Sequence, residues 1–319
     1  MPSRSTAAMS ECLVVLEGIP ALYMKSAIAG VVLISAAWAL EGNMADTNDG
    51  PGSLARAPVG VTDVLETGGA RIVTHSLGEG PELVLFASLG REASDFNELA
   101  EGLAAAGYRA TLFEGPEWHG ACASVESPTL FDLADDVGRY LATRKAPVVL
   151  VGHAFGNRLA RATATRHSEA VRGVVLIAAG GLKPIPTRAA AALRDVFDPS
   201  LAPEEHTAAV RYGFFAEGNP LPEYWLRGWH QAPARIQSAA TRAVDSTQWW
   251  HAGDRPLLVL AAMQDTIAPP ADTVDLLEAE LDDQVTAARI EGAGHALLPE
   301  APEEILAAIL GWLNTFETH

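Results

Sequence analysis

Residues 148–158 read Val-Val-Leu-Val-Gly-His-Ala-Phe-Gly-Asn-Arg. The unbroken aliphatic run specifies a strand buried on both faces. Gly152 and Gly156 then allow the chain to reverse sharply and let a following helix pack close against that strand. Few folds accommodate a buried strand, a tight turn and an immediate helix in succession. The layout is that of the G-x-S-x-G motif, in which a strained turn lifts a serine hydroxyl clear of a sheet. Here the central residue is Ala154. The chain carries the scaffold for a nucleophile and lacks the nucleophile.

The same strand-then-helix rhythm runs through the remaining sequence. Val61–Glu66, a Thr67-Gly68-Gly69 turn and Arg71–His75 read as a hairpin. Further strands are expected at Leu83–Ala87, Arg109–Phe113, Val171–Ala179, Pro256–Ala262 and Val285–Ile290. Helices are expected at Asp95–Ala106, Leu130–Thr143, Asn157–Arg166, Ala271–Leu281 and Glu303–Phe316. The spacing of Leu130, Leu133, Val137 and Leu141 places all four on one helix face. This pattern predicts an α/β protein with a mostly parallel central sheet flanked by helices. Between Ala179 and Pro256 no strand pattern occurs, and the stretch is longer than one crossover helix requires. It holds Tyr212, Phe214, Phe215, Tyr224, Trp225, Trp229, Trp249 and Trp250. A helical lid over about residues 182–250 is expected, with some of these aromatics lining an apolar pocket.

Charge and composition narrow the partners. With 22 basic and 40 acidic residues the 319-residue chain has a net charge of −18, which argues against nucleic acid or an anionic membrane surface. Two cysteines, Cys12 and Cys122, are too few for a disulfide framework or a thiolate metal site. No metal-ligand spacing and no phosphate-cradling loop is present, so no metal, nucleotide or organic cofactor is implied. Met24-Lys25, the apolar run Ala27–Ala39 and its small-residue end Ala37-Trp38-Ala39 have the form of a secretory signal. The run is short for a membrane span, and none is expected in the mature protein. The expected organisation is a leader over 1–43, a flexible linker over 44–58 and one domain over 59–319. The protein is then periplasmic or secreted; translation starting at Met44 would instead leave it cytoplasmic. Nothing in the sequence sets the oligomeric state.

Four features in chain order carry a resemblance to a known family: Ser88-Leu89-Gly90-Arg91 after a strand, the turn at Ala154, Met263-Gln264-Asp265 after a late strand, and Gly292-Ala293-Gly294-His295 after the last strand. Together they resemble the α/β-hydrolase superfamily, in its lidded branch of esterases, lactonases and epoxide hydrolases, from about Val61 to the C-terminus. The resemblance implies that Asp265 orients His295 and that His295 faces position 154 as general base. It implies an oxyanion hole formed by the backbone N–H of Phe155 and that of Gly90 or Leu89. Ser88 stands where the family keeps a histidine and borders that hole. The substrate implied is a small, largely apolar ester, lactone or related carbonyl compound. Alanine at 154 leaves three alternatives open: an enzyme that works without a covalent step, a non-catalytic ligand-binding or sensor member, or an esterase disabled by a serine-to-alanine change.

Overall fold

The computed structural model describes residues 55–115 and 121–316. These residues fall within the unit Leu54–His319. The expected leader and most of the expected linker lie outside the described residues.

The element order follows from the sequence pattern. The chain runs β1 (Val61–Thr67), β2 (Ala70–Leu77), β3 (Glu82–Phe86), α1 (Asn97–Ala105), β4 (Arg109–Phe113), α2 (Leu130–Leu141), β5 (Val148–His153), α3 (Phe155–Arg166) and β6 (Val171–Ile177). It continues through α4 (Thr187–Asp195), α5 (Pro203–Phe214), α6 (Gln231–Arg242), β7 (Leu257–Ala262), α7 (Val274–Leu281), β8 (Val285–Ile290), α8 (Leu297–Glu300) and α9 (Pro302–Leu313). The strands form one eight-stranded sheet in the order β1-β2-β4-β3-β5-β6-β7-β8. β2 is antiparallel to both neighbours, and the other pairings are parallel.

Strand periodicity divides β5 between two cores. Val148 and Leu150 join the cluster with Leu130, Val137, Leu159 and Trp249. Val149 and Val151 join the cluster with Leu103, Ile305 and Ile309 on the opposite face. Because side chains alternate across a strand, both faces of the central strands must be apolar and covered by helices. Truncating one such side chain to alanine costs about 2–5 kcal/mol.

The helices differ from expectation mainly at their starts. The helix expected from Asp95 opens as a 3-10 turn over Ala93–Phe96 before α1. The helix expected from Ala271 is broken at Thr273, whose backbone (φ −134°, ψ −90°) is not helical. α3 begins at Phe155, two residues before the expected Asn157. This last shift matters for the site, because it brings the helix N-terminus to the residue beside Ala154. The insertion between β6 and β7 is helical, as α4, α5 and α6. Its aromatic cluster, including Phe214, Phe215 and Trp225, packs around Ile267 and Ala296. The insertion therefore buries residues adjacent in sequence to Asp265 and His295.

Candidate active site

The site lies at the C-terminal ends of the parallel strands, where loops leave the sheet. At the end of β5 the backbone of Ala154 adopts φ 49° and ψ −106°. A non-glycine residue in that region is strained by on the order of 1–3 kcal/mol and persists only where its surroundings enforce it. The enforcement is visible. A Cβ on Gly152 would stand 2.2 Å from the carbonyl of Gly156, and one on Gly156 would stand 2.0 Å from the carbonyl oxygen of Phe86. The turn is therefore built from two backbone approaches that only glycine permits. The N–H of Ala154 donates to Ile177 O at 3.1 Å, and Asn157 N–H donates back to Ala154 O at 3.2 Å.

Asp265 leaves the end of β7 and His295 follows β8. His295 Nδ1 donates to Asp265 Oδ2 at 2.8 Å. The other carboxylate oxygen, Oδ1, accepts the N–H groups of Ile267 and Ala268, each at 2.8 Å. Three donors thus fix the carboxylate, and the carboxylate fixes the imidazole. With Nδ1 so engaged, Nε2 is the ring nitrogen left for chemistry. His295 and Asp265 are both buried, and His295 shares the wall of one cavity with Ala154.

His153, the residue before Ala154, supports His295 from the end of β5. Its Nε2 donates to the backbone carbonyl of His295 at 2.8 Å, tying the end of β5 to the loop that carries His295. The two rings lie 5.4 Å apart. Burial, reinforced by neighbouring His295, holds the His153 pKa down at about 3, so the ring is neutral. Its Nδ1 is buried without a hydrogen-bond partner. Glu300 completes the support. It accepts from Gly294 N at 2.7 Å, next to His295, and from Ala216 N at 2.8 Å in the insertion.

The loop after β3 requires one correction. Gly90 was expected as one of two alternative oxyanion donors, but its N–H donates to Gln237 Oε1 of α6 at 2.8 Å. An N–H already bonded to a buried side chain is not directed at a substrate. Leu89, the other alternative, lines the cavity with Ser88, Ala154 and Phe155. Ser88 is buried, and its carbonyl accepts from Arg91 N at 3.1 Å in a tight turn. The Phe155 N–H belongs to the first turn of α3, where helical N–H groups have no intrahelical acceptor and the dipole favours negative charge.

The cavity has a volume of about 190 Å³. The insertion supplies part of its wall through Leu193 of α4 and Ser238 and Thr241 of α6. Its floor is the turn at Ala154 and its side is the Ile267–Ala268 segment that also holds Asp265. The structure therefore brings Ala154, Phe155, Ser88, Leu89 and His295 to one hollow, with Asp265 directly behind His295. It turns the N–H of Gly90 elsewhere. Among the described residues no group of three or more His, Cys, Asp or Glu side chains could hold a metal ion. No described helix is long and apolar enough to cross a membrane.

A mostly parallel sheet with a strained strand-to-helix turn and a late Asp–His pair defines the α/β-hydrolase class. The chain belongs to the alpha/beta hydrolase family, whose model matches residues 83–308. No curated protein matches the chain by sequence. Among solved structures it is similar to an esterase from Exiguobacterium antarcticum, at 18% identity over 80% of this chain and 100% of that one, with a TM-score of 0.67. It is similar to a thermophilic esterase from Thermogutta terrifontis, at 22% identity over 77% of this chain and 94% of that one, with a TM-score of 0.63. It is also similar to an E-2-(acetamidomethylene)succinate hydrolase, at 19% identity over 80% of this chain and 99% of that one, with a TM-score of 0.65.

Proposed function

We propose that the protein hydrolyses a small, largely apolar ester or lactone, with water rather than a side chain as the attacking group. The observation that carries this reading is the His295–Asp265 pair at 2.8 Å on the wall of a cavity whose floor is the methyl group of Ala154. Ala154 and His295 line one cavity, and this reading places the attacking water between them.

In this mechanism His295 Nε2 takes one proton from the water as its oxygen attacks the carbonyl carbon. The carbonyl π electrons move onto oxygen, and the N–H groups of Leu89 and Phe155 hold the resulting oxyanion. Asp265 keeps the imidazolium oriented and balances its charge. The tetrahedral adduct then expels the alkoxide, which takes the proton back from His295, and an acid and an alcohol leave. Each oxyanion donor of this kind contributes about 3 kcal/mol to the barrier reduction. Removing serine from a triad that depends on it costs on the order of 10⁶ in kcat, so a working alanine enzyme must take a route that never used that oxygen.

The test is hydrolysis of p-nitrophenyl butyrate by the unmodified protein, by His295→Ala and by Ala154→Ser. The unmodified protein turns over, and His295→Ala lowers the rate by about 10³ or more. Equal rates for the unmodified protein and His295→Ala overturn the water mechanism. The methyl at 154 also favours a second reading, a ligand-binding member that retains the cavity. That reading holds if the ester binds and neither protein releases nitrophenol. An Ala154→Ser protein that becomes a far better esterase and reacts with a phosphonate probe marks the third reading, a disabled serine enzyme.

A further inference from the structure

One turn beyond the elbow, α3 carries a second side chain that the hydrolytic groups do not explain. Arg158 follows Ala154 by four residues, so it lies on the same side of the helix, about 6 Å further along the axis. It lines the same cavity as Ala154 and His295. Its Nε is sealed from solvent and makes no hydrogen bond. Among the described residues no carboxylate pairs with its guanidinium. Burial pulls its pKa down, with no acid to hold it up. The residue as a whole is half-buried, so its cation is partly desolvated and has no protein partner.

The next arginine on the helix is more deeply buried, with Nε and Nη1 also lacking hydrogen bonds, yet it has protein partners. Arg161 stacks on Trp249 and Trp250, with centroid distances of 4.8 and 4.5 Å, and donates to Asn157 Oδ1 and to the Gly180 carbonyl. Arg158 has neither a stacking partner nor an acceptor. Two more cations, Lys183 and Arg242, stand on the exposed part of the cavity wall, against one acid, Asp272. A chain with a net charge of −18 has thus gathered three cations at one hollow.

We propose that Arg158 is a carboxylate-binding residue, and that the cavity takes short organic acids and their half-esters, the free carboxylate pairing with Arg158. The planar guanidinium offers two parallel N–H bonds, which match a carboxylate. Leu89, Ile185, Leu193 and Ile267 supply an apolar wall for the short chain between that carboxylate and the reacting carbonyl. The position of the reacting carbonyl rests on the hydrolase reading above. The preference for a carboxylate does not, and it is measurable without turnover.

The experiment is calorimetric titration of the full protein with hexanoate and with hexanamide, which share a chain and differ in charge. Hexanoate binds about 30-fold more tightly or better, and Arg158→Gln removes that preference. Arg158→Lys, which keeps the charge, retains part of it. Arg172→Gln, exposed at the start of β6 and outside the cavity, changes hexanoate affinity by about threefold or less. The proposal is overturned if hexanoate and hexanamide bind alike, if neither binds, or if a folded Arg158→Gln protein keeps the preference. It is overturned equally if inorganic phosphate competes as well as hexanoate, which marks unselective anion attraction. Loss of ester turnover with the carboxylate preference intact defeats the hydrolase reading and leaves this one standing.

Discussion

The two ends of the hollow beside Ala154 are built on opposite principles. At the end that holds His295, polar groups are tied together: Asp265 accepts three N–H bonds, His153 donates to the His295 carbonyl, and Glu300 accepts from Gly294. At the end that holds Arg158, a cation stands without a protein partner. A satisfied buried network fixes one geometry and resists change. A half-buried charge without a protein partner costs some stability, which a bound anion returns. The contrast separates a part of the site that is finished in the free protein from a part that a ligand completes.

Perturbing the finished end carries the largest effects. Asp265→Asn leaves the shape intact but offers His295 an amide, and ester turnover falls by on the order of 10³–10⁴ in kcat/KM. A nitrogen-detected spectrum of His295 reports the accompanying change of tautomer. If the rate drops less than about tenfold, orientation by the carboxylate is not what the pair supplies.

Next comes the turn itself. Gly156→Ala sets a methyl 2.0 Å from the Phe86 carbonyl oxygen, backbone against backbone. It lowers unfolding free energy by about 3 kcal/mol in urea. A tolerated alanine would mean that the strand and helix can separate and that Ala154 is not held by its surroundings.

The unfinished end responds with the opposite sign. Replacing Arg158 by Met removes a poorly paired charge and keeps the bulk, so the protein gains about 1 kcal/mol of stability while losing hexanoate binding. Thermal denaturation with and without hexanoate reads both effects. A clear loss of stability on this substitution would show that Arg158 has a structural role and would erase the contrast.

A smaller effect is expected from pH. Burial keeps His153 neutral in the folded protein, down to about pH 3, whereas the unfolded ring takes a proton near 6.5. Between those values the unfolded chain binds the extra proton. The contribution of His153 is therefore complete above pH 6.5 and is lost on acidification, by at most about 1.4 kcal/mol per pH unit. Urea titrations across this window should show a shallower slope for His153→Gln; an unchanged slope would place the acid sensitivity elsewhere.

Much of this fold was legible because it is written in local pattern. The aliphatic runs at β5, β6 and β7 and the four apolar residues of α2 lie where their spacing puts them. Asp265 and His295 could be singled out through the family resemblance, because each follows a strand that the sequence marks clearly. What stayed hidden depends on partners distant in sequence. Gly90 looked like a donor until Gln237, 147 residues away, was found on its N–H. His153 likewise reaches a carbonyl 142 residues away, which no local spacing encodes. An arginine near a helix start ordinarily faces solvent, so the sequence does not mark Arg158 as lining a cavity. A signal was present: it lies four residues from Ala154, on a helix whose Leu159, Ala160 and Ala162 are buried.

The bond between Gln237 and Gly90 does not act alone. Arg91 donates to the Arg227 carbonyl at 2.6 Å, and His230 pairs with Glu92 at 2.9 Å. Three consecutive residues of the loop after β3 are therefore stitched to the segment that also walls the cavity. Selectivity and turnover cannot evolve independently in such a molecule. A change that reshapes the roof to admit a new compound also tugs on the strip carrying Leu89, so drift in preference and drift in speed should arrive together.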